Sequence, residues 1–193
     1  MAPFIALMGF MGCGKTSVGR ELARCLAWEF KDLDEVVTNA AGQEIATIFV
    51  KEGEAGFRAR EVASLREIIQ KSQESNIGVK EQCLHNQFAL PQDGLDKKMV
   101  IALGGGTPTQ PLAASLLKKN SIVVYLEIDA ETAWRRVSGS DRPLARDPKQ
   151  FASLLESRRP IYENIADITI PVRSMSTEEV VNRIMGLIEN KSY

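Results

Sequence analysis

The stretch GFMGCGKTSVGRELARCL, residues 9–26, decides the fold. It places Gly9, Gly14, Lys15 and Thr16 at the spacing G-x-x-x-x-G-K-T. Glycines without a Cβ let successive backbone N–H groups converge on phosphate oxygens, and the positive end of the next helix adds to that attraction. In such a loop the lysine reaches the β- and γ-phosphates and the hydroxyl group binds Mg²⁺. The motif therefore predicts a nucleotide site.

The residues on either side of this loop support that prediction. The preceding run PFIALM is apolar and short enough for a buried strand, and the residues that follow are apolar at helical spacing, at Val18, Leu22, Cys25 and Leu26. The loop thus lies between a strand and a helix, as phosphate binding requires. A glycine-rich turn that only caps a helix is the alternative.

Composition sets broad limits on the class of protein. The chain has 193 residues, a net charge of -1 and three cysteines without C-x-x-C spacing. These values argue against a nucleic-acid surface, a disulfide framework and a zinc site. We expect no signal peptide, because the N-terminal segment lacks a charged region, and no apolar run approaches ~20 residues. We expect one cytoplasmic domain over residues 1–193 that acts as a monomer and binds neither nucleic acid nor membrane.

Strand-like and helical segments alternate about five times along the chain. Continuous apolar strands favour a parallel sheet covered on both faces, with ligands at the carboxyl ends of its strands. The pattern predicts an α/β fold, a three-layer α/β/α sandwich with a five-stranded parallel sheet. Asp147 is predicted to cap a helix that breaks or kinks at Pro160, and Ser176 with Glu179 forms a capping box.

Residues 71–98 are polar, rich in glutamine and without clear periodicity. We predict an insertion without regular structure there, because a compact domain seldom contains so long a connection. His85, the one histidine, lies within it and is interpreted as a solvated loop residue.

Several charged residues form weaker patterns. Asp32 and Asp34 lie two positions apart at the end of the second strand, so both side chains would point to one face. There one could bind a metal and the other a substrate hydroxyl. The alternative is that one of them only caps the next helix. Arg58 and Glu61 have the spacing of an ordinary surface ion pair. The arginines 142, 158 and 159 fit phosphate or carboxylate binding, but each also fits a solvated loop or helix end.

Taken in order, six segments resemble the shikimate kinase family: GFMGCGKT, DLD, IFVKEGEAGFRARE, GGG, DRPL and RRPIYENIAD. The resemblance runs from about residue 4 to residue 189 and implies a P-loop nucleoside monophosphate kinase-like fold. It also implies ATP-dependent phosphorylation of the 3-hydroxyl of shikimate, in the chorismate pathway to aromatic amino acids.

The resemblance implies a role for each matching position. Catalysis falls to Lys15, Asp34 and Arg142, and a lid spans residues 138–147. One Mg²⁺ per subunit is bound through Thr16 and Asp32. ATP contacts are implied for Gly12, Cys13, Gly14, Lys15, Thr16, Ser17, Arg136 and Arg142. Shikimate contacts are implied for Asp34, Phe49, Phe57, Arg58, Glu61, Gly104, Gly105, Gly106 and Arg158.

Two other functions fit part of the pattern. A related P-loop kinase could act on gluconate or a nucleoside monophosphate, and a nucleotide-binding regulatory module could use the same scaffold without turnover. The segment TPTQP after the triple glycine and a lid about one residue short depart from the family pattern. Cys13, beside amide donors and Lys15, is either an oxidation-sensitive thiol or a tolerated small residue.

Overall fold

A computed structural model of the chain describes residues 4–82, 98–139 and 147–190. Its strands form one five-stranded sheet in the order β2-β3-β1-β4-β5, and every neighbouring pair is parallel. The predicted sheet is confirmed. The strands are β1 Phe4–Met8, β2 Glu29–Asp32, β3 Met99–Ala102, β4 Ser121–Glu127 and β5 Ile168–Pro171.

Helices connect the strands and cover the sheet. All residues of β1 and all but the end residues of β4 are buried, which requires cover on both faces. Among the described residues the helices are α1 Lys15–Leu26, α2 Leu33–Ala41, α3 Ile45–Gln82, α4 Pro111–Asn120, α5 Ala130–Val137, α6 Pro148–Ile165 and α7 Thr177–Asn190.

Helix α3 consists of two helical segments joined at Gly53. The backbone there has φ 70° and ψ -176°, a conformation open almost only to glycine. The first segment packs Ile48 against Val37 of α2, and Phe57 of the second segment completes this small apolar cluster. The cluster is separate from the main core and holds α2 and α3 together beside the sheet.

The second segment of α3 corrects one prediction. The helix continues to Gln82, so the expected lack of regular structure is wrong for residues 71–82. Lysine, glutamine and glutamate have good helix propensity, and a helix without an apolar stripe gives no periodic signal. The rest of the predicted insertion up to residue 97, with His85, lies outside the described residues.

Helix α6 begins as predicted but does not end at Pro160. Asp147 accepts hydrogen bonds from the backbone of Lys149 and Gln150, and Pro148 occupies the first turn. The helix continues to Ile165, because buried side chains on both sides of the proline anchor it to the core, including Leu155 and Tyr162. The capping box of α7 is confirmed by reciprocal hydrogen bonds between Ser176 and Glu179.

Candidate active site

The glycine-rich loop connects β1 to α1, as predicted. Gly9, Gly12 and Gly14 all have positive φ, at 148°, 83° and 95°, which explains why glycine occupies these turns. The Lys15 ammonium donates to the carbonyls of Gly9 at 2.9 Å and Phe10 at 3.1 Å. The lysine therefore folds back over its own loop, where an anion would meet it.

The two aspartates differ in position from the prediction. Asp32 ends β2 and caps α2 by accepting from the backbone N–H of Asp34 at 3.0 Å. Asp34 lies in the first turn of α2, so the expected common strand face is wrong. Asp32 does cap the helix, but capping is not its only contact. The helix begins there because the carboxylate of Asp32 satisfies a free N–H group. The other Asp32 oxygen accepts from the Thr16 hydroxyl at 2.7 Å.

A cavity of about 430 Å³ opens beside this loop. Most of the predicted ATP and metal positions line it, together with Asp34 and Gly105. Of the other predicted ATP positions, Cys13 is buried, and Arg142 lies outside the described residues. The lining residues are Gly12, Gly14, Lys15, Thr16, Ser17, Asp32, Asp34, Leu103, Gly105, Arg136 and Val137.

Thr16 and Asp32 offer the donors that Mg²⁺ takes at a phosphate site. Magnesium in nucleotide enzymes uses one or two protein oxygens, with water and phosphate as the remaining ligands. A hydroxyl and a carboxylate that are 2.7 Å apart on the cavity wall fit this set. Within the described residues no cluster of three or more histidine, cysteine or acidic side chains could hold a metal alone.

Arg58 and Glu61 form a buried ion pair, and the surface interpretation is wrong. Arg58 Nη1 lies 2.6 Å from Glu61 Oε2, with side-chain exposures of 8% and 0%. The other Glu61 oxygen accepts from the hydroxyl of Thr107. Burial raises the pKa of Glu61, and the guanidinium and the hydroxyl offset only part of that rise. Burial alone would lower the pKa of Arg58, but the carboxylates of Glu61 and Glu54 have the larger effect and raise it.

The triple glycine after β3 leaves space for this pair. A Cβ on Gly104 would overlap the Glu61 carboxylate, and one on Gly106 would overlap the Arg58 guanidinium. The carbonyl of Gly105 accepts from the hydroxyl of Tyr162. The three glycines thus let the backbone approach the ion pair closely.

Arg158 and Arg159 face different surroundings. Arg158 is buried, with its Cζ 6.0 Å from the Phe10 ring centroid and its Nη2 3.8 Å from Glu54 Oε1. Arg159 instead pairs with Glu156 at 2.8 Å. The structure therefore brings Arg158, and not Arg159, beside Arg58.

Aromatic rings close one side of this region. The ring centroids of Phe49 and Phe57 are 4.9 Å apart, and Arg58 Cζ lies 5.3 Å from the Phe57 centroid. Arg136 lines the phosphate-loop cavity and donates to the carbonyl of Gly12 at 3.1 Å. Of the positions predicted for the acceptor, two line the cavity, and the arginines lie beside the glycine turn that contributes to its wall.

The sequence alone indicates no role for two residues of this network. Glu54 contacts Arg58 at 2.9 Å and lies near Arg158. Its signal was the Glu-to-Arg spacing of four along a helix, which is common on protein surfaces. Thr107 directly follows the triple glycine, and only the fold brings it to Glu61, 46 positions earlier.

No described helix has the length and apolar composition to cross a membrane. A family model described as shikimate kinase matches residues 11–77 and 86–189. The interruption at residues 78–85 falls inside the stretch predicted as an insertion.

Among curated proteins, the shikimate kinases of Actinobacillus succinogenes and Pasteurella multocida are each 34% identical over 96% of this chain and 95% of their own. Among solved structures, the shikimate kinase of Acinetobacter baumannii in complex with shikimate has a TM-score of 0.83 and 34% identity, covering 100% of this chain and 97% of its own. That of Aquifex aeolicus has a TM-score of 0.77 and 32% identity, covering 98% of both chains. With this agreement between sequence and fold, the chain belongs to the shikimate kinase family.

Proposed function

We propose that this chain transfers the γ-phosphoryl group of ATP to the 3-hydroxyl of shikimate, in the pathway through chorismate to the aromatic amino acids. The observation that carries the proposal is the position of two buried arginines, Arg58 and Arg158, beside the triple-glycine turn whose Gly105 lines the phosphate-loop cavity. Two neighbouring buried guanidinium groups favour an anion between them, and a small acid with hydroxyl groups fits the rest of the site.

Shikimate has one carboxylate and three ring hydroxyls, and the site has a complement for each kind of group. Arg58 and Arg158 would bind the carboxylate, since a planar fork matches its two oxygens. Asp34 and the backbone N–H groups of residues 104–106 would bind hydroxyls. Phe49 and Phe57 would pack against the ring.

Phosphoryl transfer depends on positioning and on charge neutralisation rather than on covalent chemistry. Lys15 would move from its loop carbonyls to the phosphates, and Asp34 would accept the hydrogen bond of the attacking hydroxyl. Thr16 and Asp32 would hold Mg²⁺, which neutralises phosphate charge when bound. Arg142, on a lid over residues 138–147, would stabilise the transferred group and exclude water.

The wider cellular setting is part of the same proposal. We infer a cytoplasmic monomer in which residues 1–193 form one domain. Its partners are shikimate and Mg²⁺-ATP, without nucleic acid or membrane. The net charge of -1, with both signs interspersed along the sequence, supports the absence of a nucleic-acid partner.

Replacing Arg58 tests the acceptor assignment. We expect Arg58→Ala to raise the shikimate KM on the order of 100-fold, because a buried charge pair with the substrate is lost, while ATP affinity stays within about two-fold. Arg58→Lys keeps the charge without the fork and should raise KM by a smaller factor. Steady-state kinetics and ATP titration give both values.

Arg60→Ala is the matched control, because Arg60 lies on the same helix and pairs at the surface with Glu52. This substitution should change neither the shikimate KM nor the ATP affinity. An equal loss of shikimate and ATP binding in both Arg58 variants would contradict the assigned role.

A further inference from the structure

Two carboxylates of the chain engage the guanidinium of Arg58. Arg58 Nη1 donates to Glu61 Oε2 at 2.6 Å. Arg58 Nε and Nη2 both donate to Glu54 Oε1, at 3.3 Å and 2.9 Å. The two glutamates differ in exposure, because the Glu61 side chain is 0% exposed and that of Glu54 is 52% exposed. The edge of the Arg58 fork formed by Nε and Nη2 is therefore covered by a carboxylate that reaches solvent.

The same Glu54 oxygen lies 3.8 Å from Arg158 Nη2. One carboxylate oxygen thus sits between the two guanidinium groups to which the proposed function assigns the substrate carboxylate. We propose that Glu54 occupies the carboxylate subsite in the free enzyme as an internal competitor, and that shikimate must displace it to bind. This inference rests on the proposed function.

In the free enzyme the Glu54 carboxylate offsets the repulsion between two neighbouring guanidinium groups. Arg58 and Arg158 are each 8% exposed, and two neighbouring buried cations repel each other unless an anion lies between them. Glu54 supplies that anion while the subsite is empty. When the substrate carboxylate replaces it, the charge around the arginines stays the same.

The structure also indicates which carboxylate leaves. Glu61 is held by Arg58 and Thr107 and has no solvent to move into. Glu54 follows the helix break at Gly53 and can return to water by rotating its side chain, which costs little for a half-exposed ion pair. When the substrate carboxylate replaces that of Glu54, the Arg58–Glu61 pair therefore stays intact.

Competition of this kind affects specificity. A ligand that offers only a carboxylate gains the arginine contacts but must displace Glu54, so its net gain in binding free energy is small. Shikimate adds hydroxyl contacts at Asp34 and the triple glycine, which Glu54 does not oppose. The internal carboxylate thus selects for acids that also carry ring hydroxyls.

The test is Glu54→Gln, which keeps the size of the side chain and removes its charge. We expect the shikimate KM to fall about two- to five-fold, the size expected for an exposed ion pair that no longer has to be broken. The kcat should stay within about two-fold, since the change acts on binding. Glu52→Gln is the matched control: Glu52 lies two positions earlier and pairs with Arg60, and its KM should equal that of the wild type.

Thermal unfolding separates competition from a structural role. Without shikimate, Glu54→Gln should melt below the wild type, because Arg58 and Arg158 lose their counter-charge. With saturating shikimate the two melting temperatures should converge. The inference would be overturned if the shikimate KM of Glu54→Gln rose or stayed constant, or if the KM of Glu52→Gln fell by the same factor. It would also be overturned if Glu54→Gln still melted below the wild type with saturating shikimate. If shikimate does not shift the melting temperature of the wild type, the proposed function fails, and the inference fails with it.

Discussion

Lys15→Met should reduce kcat by about 10³-fold, the upper range measured when one preorganised donor to a developing charge is removed. The reason is that the Lys15 ammonium lies against the glycine-rich loop, 2.9 Å and 3.1 Å from two loop carbonyls, where the phosphates would bind. Methionine keeps the length of the side chain and removes the charge. Steady-state kinetics with saturating ATP and shikimate measures the effect.

Lys118→Met is the control for this prediction, because Lys118 is exposed in the last turn of α4. It should leave kcat unchanged. Circular dichroism should show that both variants are folded. If Lys15→Met kept kcat within ten-fold of the wild type, the phosphate role of Lys15 would be wrong.

Glu61→Ala should lower the free energy of unfolding by about 3 kcal/mol, as expected when one partner of a buried ion pair is removed. The substitution leaves the Arg58 guanidinium with only the half-exposed Glu54 and leaves the Thr107 hydroxyl without its acceptor. Urea denaturation measures the change. The shikimate KM should rise as well, because Arg58 loses the group that orients it.

The control here is Glu67→Ala on the same helix. Glu67 forms an exposed pair with Lys71, so its loss should cost less than about 0.5 kcal/mol. A stability loss in Glu61→Ala no larger than in Glu67→Ala would mean that the buried pair does not support the fold.

The sequence predicts best where a function needs a local spacing. The positions of Gly9, Gly14, Lys15 and Thr16 depend on one turn between a strand and a helix, and the structure has that turn. The apolar strands likewise predict the parallel sheet, since burial on both faces leaves a continuous apolar run.

The sequence predicts less where function depends on contacts between distant segments. Arg58 and Glu61 have the spacing of a surface pair, but the backbone that follows β3 approaches them closely at Gly104 and Gly106, and the pair is buried. Thr107 reaches Glu61 for the same reason. The final part of α3, residues 71–82, is not predicted for a different reason: its sequence has no apolar stripe and therefore no helical periodicity.

The central claim is that shikimate is the phosphoryl acceptor, and a coupled ADP-release assay with Mg²⁺-ATP tests it most directly. The acceptors to compare are shikimate, gluconate, nucleoside monophosphates and no acceptor. We predict that shikimate alone drives turnover well above the rate without acceptor. Turnover with another acceptor, or ATP binding without turnover on any of them, would contradict the claim and favour a different kinase or a regulatory nucleotide-binding module.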